Sequence, residues 1–211
     1  MFSKMTIEMS VEMERVLTGS SLPLFERAAV FATVAHSKAK RKGGRIPYLV
    51  HPMEAAAIVA EMTDDEELVA AAVLHDVVED TAATVEDLRR YFGERVAHYV
   101  SQESENKRKE LPPESTWKLR KQETITFLTN EADRNAKILA LADKLSNLRS
   151  VERDERSIGE KLWERFNQKD KSLHGWMYRQ IAEALRELEA FPAWQEYDRL
   201  IKKVFENQDG L

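Results

Sequence analysis

The 211-residue chain contains no cysteine. That one absence removes disulfides, thiolate zinc sites, iron–sulfur clusters and cysteine nucleophiles together. Any metal site must therefore be built from His, Asp or Glu. Glycine and proline are scarce as well, at 7 and 6 residues. Sandwiches and barrels need both at their many tight turns, so the scarcity points to an all-α fold. No stretch approaches the roughly 18 uninterrupted apolar residues of a membrane span. Met1 to Ser20 lacks the basic start and apolar run of a secretory signal, so a cytoplasmic protein is expected. The net charge is −5, and a field of that sign does not favour nucleic acid. Neither a nucleic-acid nor a membrane partner is expected.

What remains is 43% hydrophobic and 33% charged, a balance that fits a soluble globular chain rather than a disordered one. The length fits a single domain over 1–211, with a core over about 22–150 and a C-terminal helical segment over about 157–208. Apolar spacing predicts helices over about 5–18, 22–42, 52–62, 65–80, 84–91 and 93–103. A charged loop follows at 104–116, then helices at about 116–130, 134–152, 157–190 and 192–208. Gly43-Gly44 is expected to stop the second helix, and Thr63 or Asp64 to cap the fourth. Gly159 and Gly175 are expected to interrupt the longest one. The Met-rich first helix reads as a packing helix, and nothing in the sequence decides the oligomeric state.

The helix predicted over 65–80 is unusually apolar, from Leu68 through Val78. A helix apolar nearly all round is buried, yet this one ends in His75, Asp76, Glu79 and Asp80. Ionisable groups at the end of a buried helix need partners, and a metal ion is one. His51, just before Pro52, and Asp143, inside the apolar stretch ILALADKLSNL, complete a set of two imidazoles and two carboxylates. Such a set suits a divalent Mn, Fe, Zn or Mg ion with positions left for water and substrate, and it leans toward Mn or Fe. Glu79 and Asp80 each follow a candidate ligand by four residues, and Asn147 follows Asp143 by four. On a continuous helix each would share its ligand's face. A carboxylate so placed could activate water or protonate a leaving group. A His-Asp dipeptide alone carries little weight; the joint placement does. The run KAKRKGGR holds Lys38, Lys40, Arg41, Lys42 and Arg45 with no acid between them. It reads either as a phosphate clamp, with an Arg able to stack on a base, or as a solvated helix end. Five charges are more than one small substrate needs.

Ala35-His36, Arg41-Lys42, PYLVHP at 47–52, LHDVVEDT at 74–81, Phe92-Gly93 and LADKLSNLR at 141–149 run in the order of a known family. The chain resembles the HD-domain metal-dependent phosphohydrolases, and more narrowly the Mesh1-like small alarmone hydrolases of the RelA/SpoT type. The resemblance covers residues 22–150 and implies an HD-domain helical fold with packed C-terminal helices, holding one Mn²⁺. It implies His51, His75, Asp76 and Asp143 as ligands, and Glu79 and Asp80 as the pair acting on water. It also implies Asn147, Arg41, Lys42 and Tyr48 as substrate residues, with Arg41 on the purine, Lys42 near phosphate and Tyr48 shaping the pocket. His36 is implied as structural or as support for the ligands. The implied reaction hydrolyses the 3′-pyrophosphate of a guanosine or adenosine alarmone to pyrophosphate and a nucleoside di- or triphosphate. A length of 211 leaves no room for a synthetase domain, so a stand-alone hydrolase is expected. Two departures stand out: the short GGRI loop at 43–46, and segment 103–123, where Lys107, Arg108, Lys109, Trp117, Lys118 and Arg120 could reach distal phosphates. A catalytically silent nucleotide-binding module, or a broader nucleotidase acting on NADPH, is the alternative.

Overall fold

The computed structural model describes residues 11–19, 22–105, 108 and 110–206. Residues 5–10 of the expected first helix, and Lys107 and Lys109, lie outside them. Among the described residues there is no β-strand, only one isolated antiparallel bridge between Lys40 and Pro47. No helix among them is long and apolar enough to cross a membrane. The all-α expectation holds. The chain divides into two compact units, Met1–Ser104 and Glu105–Leu211.

The first unit comprises α1 (Val11–Gly19), α2 (Leu24–Ala35), α3 (Val50–Ala60), α4 (Glu66–Leu74), α5 (Val77–Asp80), α6 (Val85–Phe92) and α7 (Glu94–Glu103). Its centre is α4, packed by α2, α3 and α7. Leu68, Val73 and Leu74 have no exposed surface. Each such side chain withdrawn from water contributes roughly 1.5–3 kcal/mol before the entropy of ordering it. The α4 cap is Asp65, one or two residues later than expected; its carboxylate accepts from the Glu67 and Leu68 amides. Arg95 anchors that cap by pairing with Asp65 and Glu67. Thr84 and Asp87 form a capping box at α6, and Gly93, at φ 94°, makes the expected break before α7. Arg27 ties three helices together, donating to the carbonyls of Leu17 at 2.9 Å and Tyr91 at 3.0 Å.

Two expected helices of this unit are shorter than the sequence spacing indicated. The second stops at Ala35, not Lys42. His36 turns into the protein, Lys38 takes a left-handed φ of 68°, and residues 40–47 fold back on themselves. Arg41 donates its amide to the Ile46 carbonyl at 3.0 Å, with Gly43 at φ 72° in the turn. The basic run is thus a compact loop rather than a helix end. The helix expected over 65–80 breaks at His75-Asp76 into α4 and α5.

The second unit comprises α8 (Pro113–Asn130), α9 (Arg134–Ile158), a 3-10 helix at Gly159–Arg165, α10 (Lys171–Ala184), a 3-10 helix at Arg186–Leu188 and α11 (Pro192–Phe205). The 25-residue α9 starts at the Asp133 cap and packs on α11, while α10 packs on α8 and α11. Gly159, at φ 61°, ends α9, which runs past the expected end at 152; the helix expected over 157–190 is replaced by the 3-10 helix and α10. Gly175 does not interrupt α10. It is buried where α10 meets α11, and a Cβ there would come within 3.2 Å of Phe205.

Candidate metal centre

The loop after α2 and the ends of α3 and α4 bring three of the expected ligands together. His51 sits in the first turn of α3 and is 3% exposed; His75 caps α4 and is 1% exposed. Ligand atoms of His51, His75 and Asp76 lie within 4.8 Å of one another. Asp76 Oδ2 is the shared focus, 3.1 Å from His75 Nε2 and 3.5 Å from His51 Nε2.

The hydrogen bonding around this focus fits a cation. His75 Nδ1 lies 2.8 Å from the Ala72 carbonyl. A carbonyl only accepts, so Nδ1 carries the proton and the Nε2 lone pair points toward Asp76. A backbone carbonyl fixing the tautomer in this way is the usual support of a metal-binding imidazole. Two imidazole nitrogens and a carboxylate oxygen at these distances place electron pairs against each other unless a positive charge lies between them. Burial alone would raise the Asp76 carboxyl, but proton-carrying His75 and His51, whose place a bound cation would take, outweigh it and hold the group well below the usual carboxylate range. Asp76 is therefore ionised, as a ligand must be.

Tyr48 and His36 back this focus. The Tyr48 hydroxyl donates to Asp76 Oδ2 at 2.7 Å. Burial, together with the charges of Asp76 and Asp80, drives its phenol far above the usual range, so it stays a donor. The His36 ring lies 4.9 Å from the Tyr48 ring and the Arg41 guanidinium 5.5 Å from it. Burial is the largest influence on His36 and lowers its pKa, which leaves the imidazole neutral at pH 7. Glu79 is half-buried on α5, and Asp80, exposed at its end, still acts electrostatically on both His36 and Tyr48. Arg41 is half-buried and Lys42 exposed on the basic loop.

Asp143 belongs to the second unit, buried on α9. Asn147 donates to its Oδ1 at 2.6 Å, one turn along as the spacing predicts, and Lys144 pairs with its Oδ2. Nearby in that unit, Glu105 is paired with Arg120 at 2.7 Å and with Lys121. Burial opposes ionisation of Glu105, but Lys121, Lys144 and Arg120 prevail and lower its pKa. Of the segment expected to reach phosphates, Trp117 is buried and Lys118 sits 5.7 Å over the Trp176 ring. Arg108 pairs with Glu123 at 2.6 Å.

Two supporting residues escaped the sequence reading. Thr81 donates its hydroxyl to the Val77 carbonyl at 2.6 Å and accepts from the Ala83 amide at 3.1 Å, closing the turn that carries Glu79 and Asp80. Nothing in its spacing marks it. Lys144 was missed because adjacent positions do not share a helix face; its long stem reaches Asp143 regardless.

The chain belongs to the HD domain family, whose model matches residues 28–166. HD domain hydrolases are metal-dependent, in keeping with the His51–His75–Asp76 cluster. Over 126 residues, 60% of this chain, it is 36% identical to the guanosine-3′,5′-bis(diphosphate) 3′-pyrophosphohydrolase of Aquifex aeolicus. It is 44% identical over 79 residues, 37% of its length, to a GTP pyrophosphokinase of Myxococcus xanthus. The chain spans only 17% and 10% of those two relatives. Among solved structures it is similar to a metazoan ortholog of SpoT that hydrolyses ppGpp, with a TM-score of 0.69 and 26% identity over 87% of this chain and 98% of that one. It also resembles a Listeria monocytogenes protein, with a TM-score of 0.65 and 35% identity over 77% of this chain and 99% of the other.

Proposed function

We propose that this chain is a metal-dependent hydrolase that removes the 3′-pyrophosphate from purine alarmones, (p)ppGpp or (pp)pApp. The products are the nucleoside di- or triphosphate and pyrophosphate. The observation that carries the reading is the convergence of His51, His75 and Asp76 on one point, in a chain whose relatives include ppGpp hydrolases. The two compact units act together as one hydrolase domain over 1–211, and an alarmone substrate implies a cytoplasmic enzyme.

One Mn²⁺ is the proposed cofactor, because a thiolate-free set of imidazole and carboxylate donors suits it. Asp143 is the proposed fourth ligand, its carboxylate held by Asn147 and Lys144. When bound, such an ion lowers the pKa of a water and stabilises charge on a phosphoryl oxygen. Glu79 takes the proton from the attacking water at its carboxylate and returns it to the departing nucleoside 3′-oxygen, while Asp80 orients the water. Tyr48 holds Asp76 and walls the nucleotide pocket. Arg41, already against the Tyr48 ring, offers its other face to the purine. Lys42 meets phosphate, and the Asn147 side-chain amide contacts substrate beside Asp143.

A panel of ppGpp, ppApp and NADPH, with pyrophosphate and phosphate detected separately, tests the reading. Pyrophosphate release from either alarmone supports it. Phosphate release from NADPH alone favours the broader phosphatase, and inertness with every nucleotide favours a silent module. Glu79→Gln should keep metal and lose turnover; loss of metal in that variant would make Glu79 a ligand instead.

A further inference from the structure

Every exposed position of α3 is apolar, and its one carboxylate, Glu54, is half-buried beside them. Its exposed positions are Val50, Met53, Ala57 and Ala60, with Val50 52% and Met53 38% exposed. They recur at the three- and four-residue spacing of one helix stripe. The large side chains occupy the N-terminal half and the small ones the C-terminal half. Charge is divided the same way. Exposed Lys40 and Arg45 lie in the loop leading into α3, and exposed Glu61 and Asp64 follow it. None of these four enters an ion pair among the described residues, whereas Arg89 and Arg95 of the same unit are both paired.

We propose that this face docks a second copy of the chain, α3 against α3 in antiparallel, around a two-fold axis. That arrangement alone satisfies both asymmetries. Val50 meets the partner's Ala60 and Met53 meets the partner's Ala57, large against small. Each basic loop meets the Glu61 and Asp64 of the partner subunit. A parallel pairing would set large on large and like charge on like charge, which is destabilising. Such isologous contacts are the commonest form of homo-oligomer. The helix is about 16 Å long, so the interface is small and the dimer concentration-dependent. The surplus charge of KAKRKGGR, beyond the Arg41 and Lys42 of the proposed nucleotide site, thereby gains a partner. The inference does not depend on the substrate.

The test measures the mass of the full chain by light scattering across the micromolar to millimolar range. The mass should rise from 24.3 kDa toward twice that value. Met53→Asp should hold it at the monomer, with circular dichroism confirming the fold. Arg45→Glu should weaken the dimer about tenfold, summed over two symmetric contacts, and adding Glu61→Lys should recover most of that loss. Because the chain has no cysteine, introduced thiols report the register cleanly. Met53→Cys with Ala57→Cys should cross-link on mild oxidation, and Val50→Cys alone should not. A monomer at every concentration, a dimer indifferent to Met53→Asp, or cross-linking through Val50→Cys alone would each overturn the proposal.

Discussion

Replacing Tyr48 with Phe removes one oxygen from the candidate metal centre and leaves its packing in place. That hydroxyl donates at 2.7 Å to Asp76 Oδ2, the same oxygen that faces His75 Nε2 and His51 Nε2. The acceptor is an ionised, largely buried carboxylate, so the bond belongs to the charge-assisted class worth about 1.5–3 kcal/mol. The phenyl ring keeps its contacts with His36 and Arg41. The loss should therefore fall on the orientation of Asp76 rather than on the fold. Loss of a hydrogen-bonding partner behind a ligand typically weakens metal binding about 10–100-fold, which is the same energy read as affinity. Calorimetric titration of Mn²⁺ into wild type and Tyr48→Phe should show that weakening, with unchanged circular dichroism. Equal affinities in two equally folded proteins would refute the reasoning. Asp76 would then need no phenol to set it, and Tyr48 would be only a wall of the pocket.

Other consequences follow from the packing. Thr81→Val removes both hydrogen bonds that close the turn bearing Glu79 and Asp80; it should cost about 1 kcal/mol of stability and lower turnover while metal affinity holds. Gly175→Val pushes a side chain against Phe205 and should cost about 1–3 kcal/mol, read as a lower urea midpoint. Glu105 has a folded-state pKa depressed below its ordinary 4.5 by Lys121, Lys144 and Arg120 despite burial. Its stabilisation is complete above that value and is lost as pH falls through the lower, folded one. Glu105→Gln should flatten that part of the acid limb in a plot of urea stability against pH.

The sequence carried the fold class and most helix ends through cues that act locally. Scarce Gly and Pro implied helices, apolar spacing placed the start of α9 at 134, and Gly93 and Gly159 marked breaks that the left-handed φ values require. It did not carry the end of α2. Lys, Arg and Ala are good helix formers, so residues 36–42 read as a continuation. Burial of His36 and the back-folding of 40–47 decide otherwise, and both are tertiary. The break at His75-Asp76 was invisible for a related reason. The apolar pattern runs straight through it, while the His75 ring takes the Ala72 carbonyl in the last turn of α4, a side-chain competition that periodicity cannot register. The ligand candidates were legible because ionisable groups at the end of an apolar helix are anomalous. Tyr48, read as a pocket wall, gave no such sign. Its bond to Asp76 spans 28 residues of sequence, and only the folded chain brings the two together.

The central claim is best tested by one measurement of products. Metal-free protein is loaded with Mn²⁺, incubated with ppGpp and separately with ppApp, and the nucleotide and phosphate products are separated and counted. The account predicts the nucleoside diphosphate and pyrophosphate in equal amounts from at least one of the two, with none of either after chelation. Both alarmones left intact by the metal-loaded protein, or release of single phosphates in place of pyrophosphate, would contradict it.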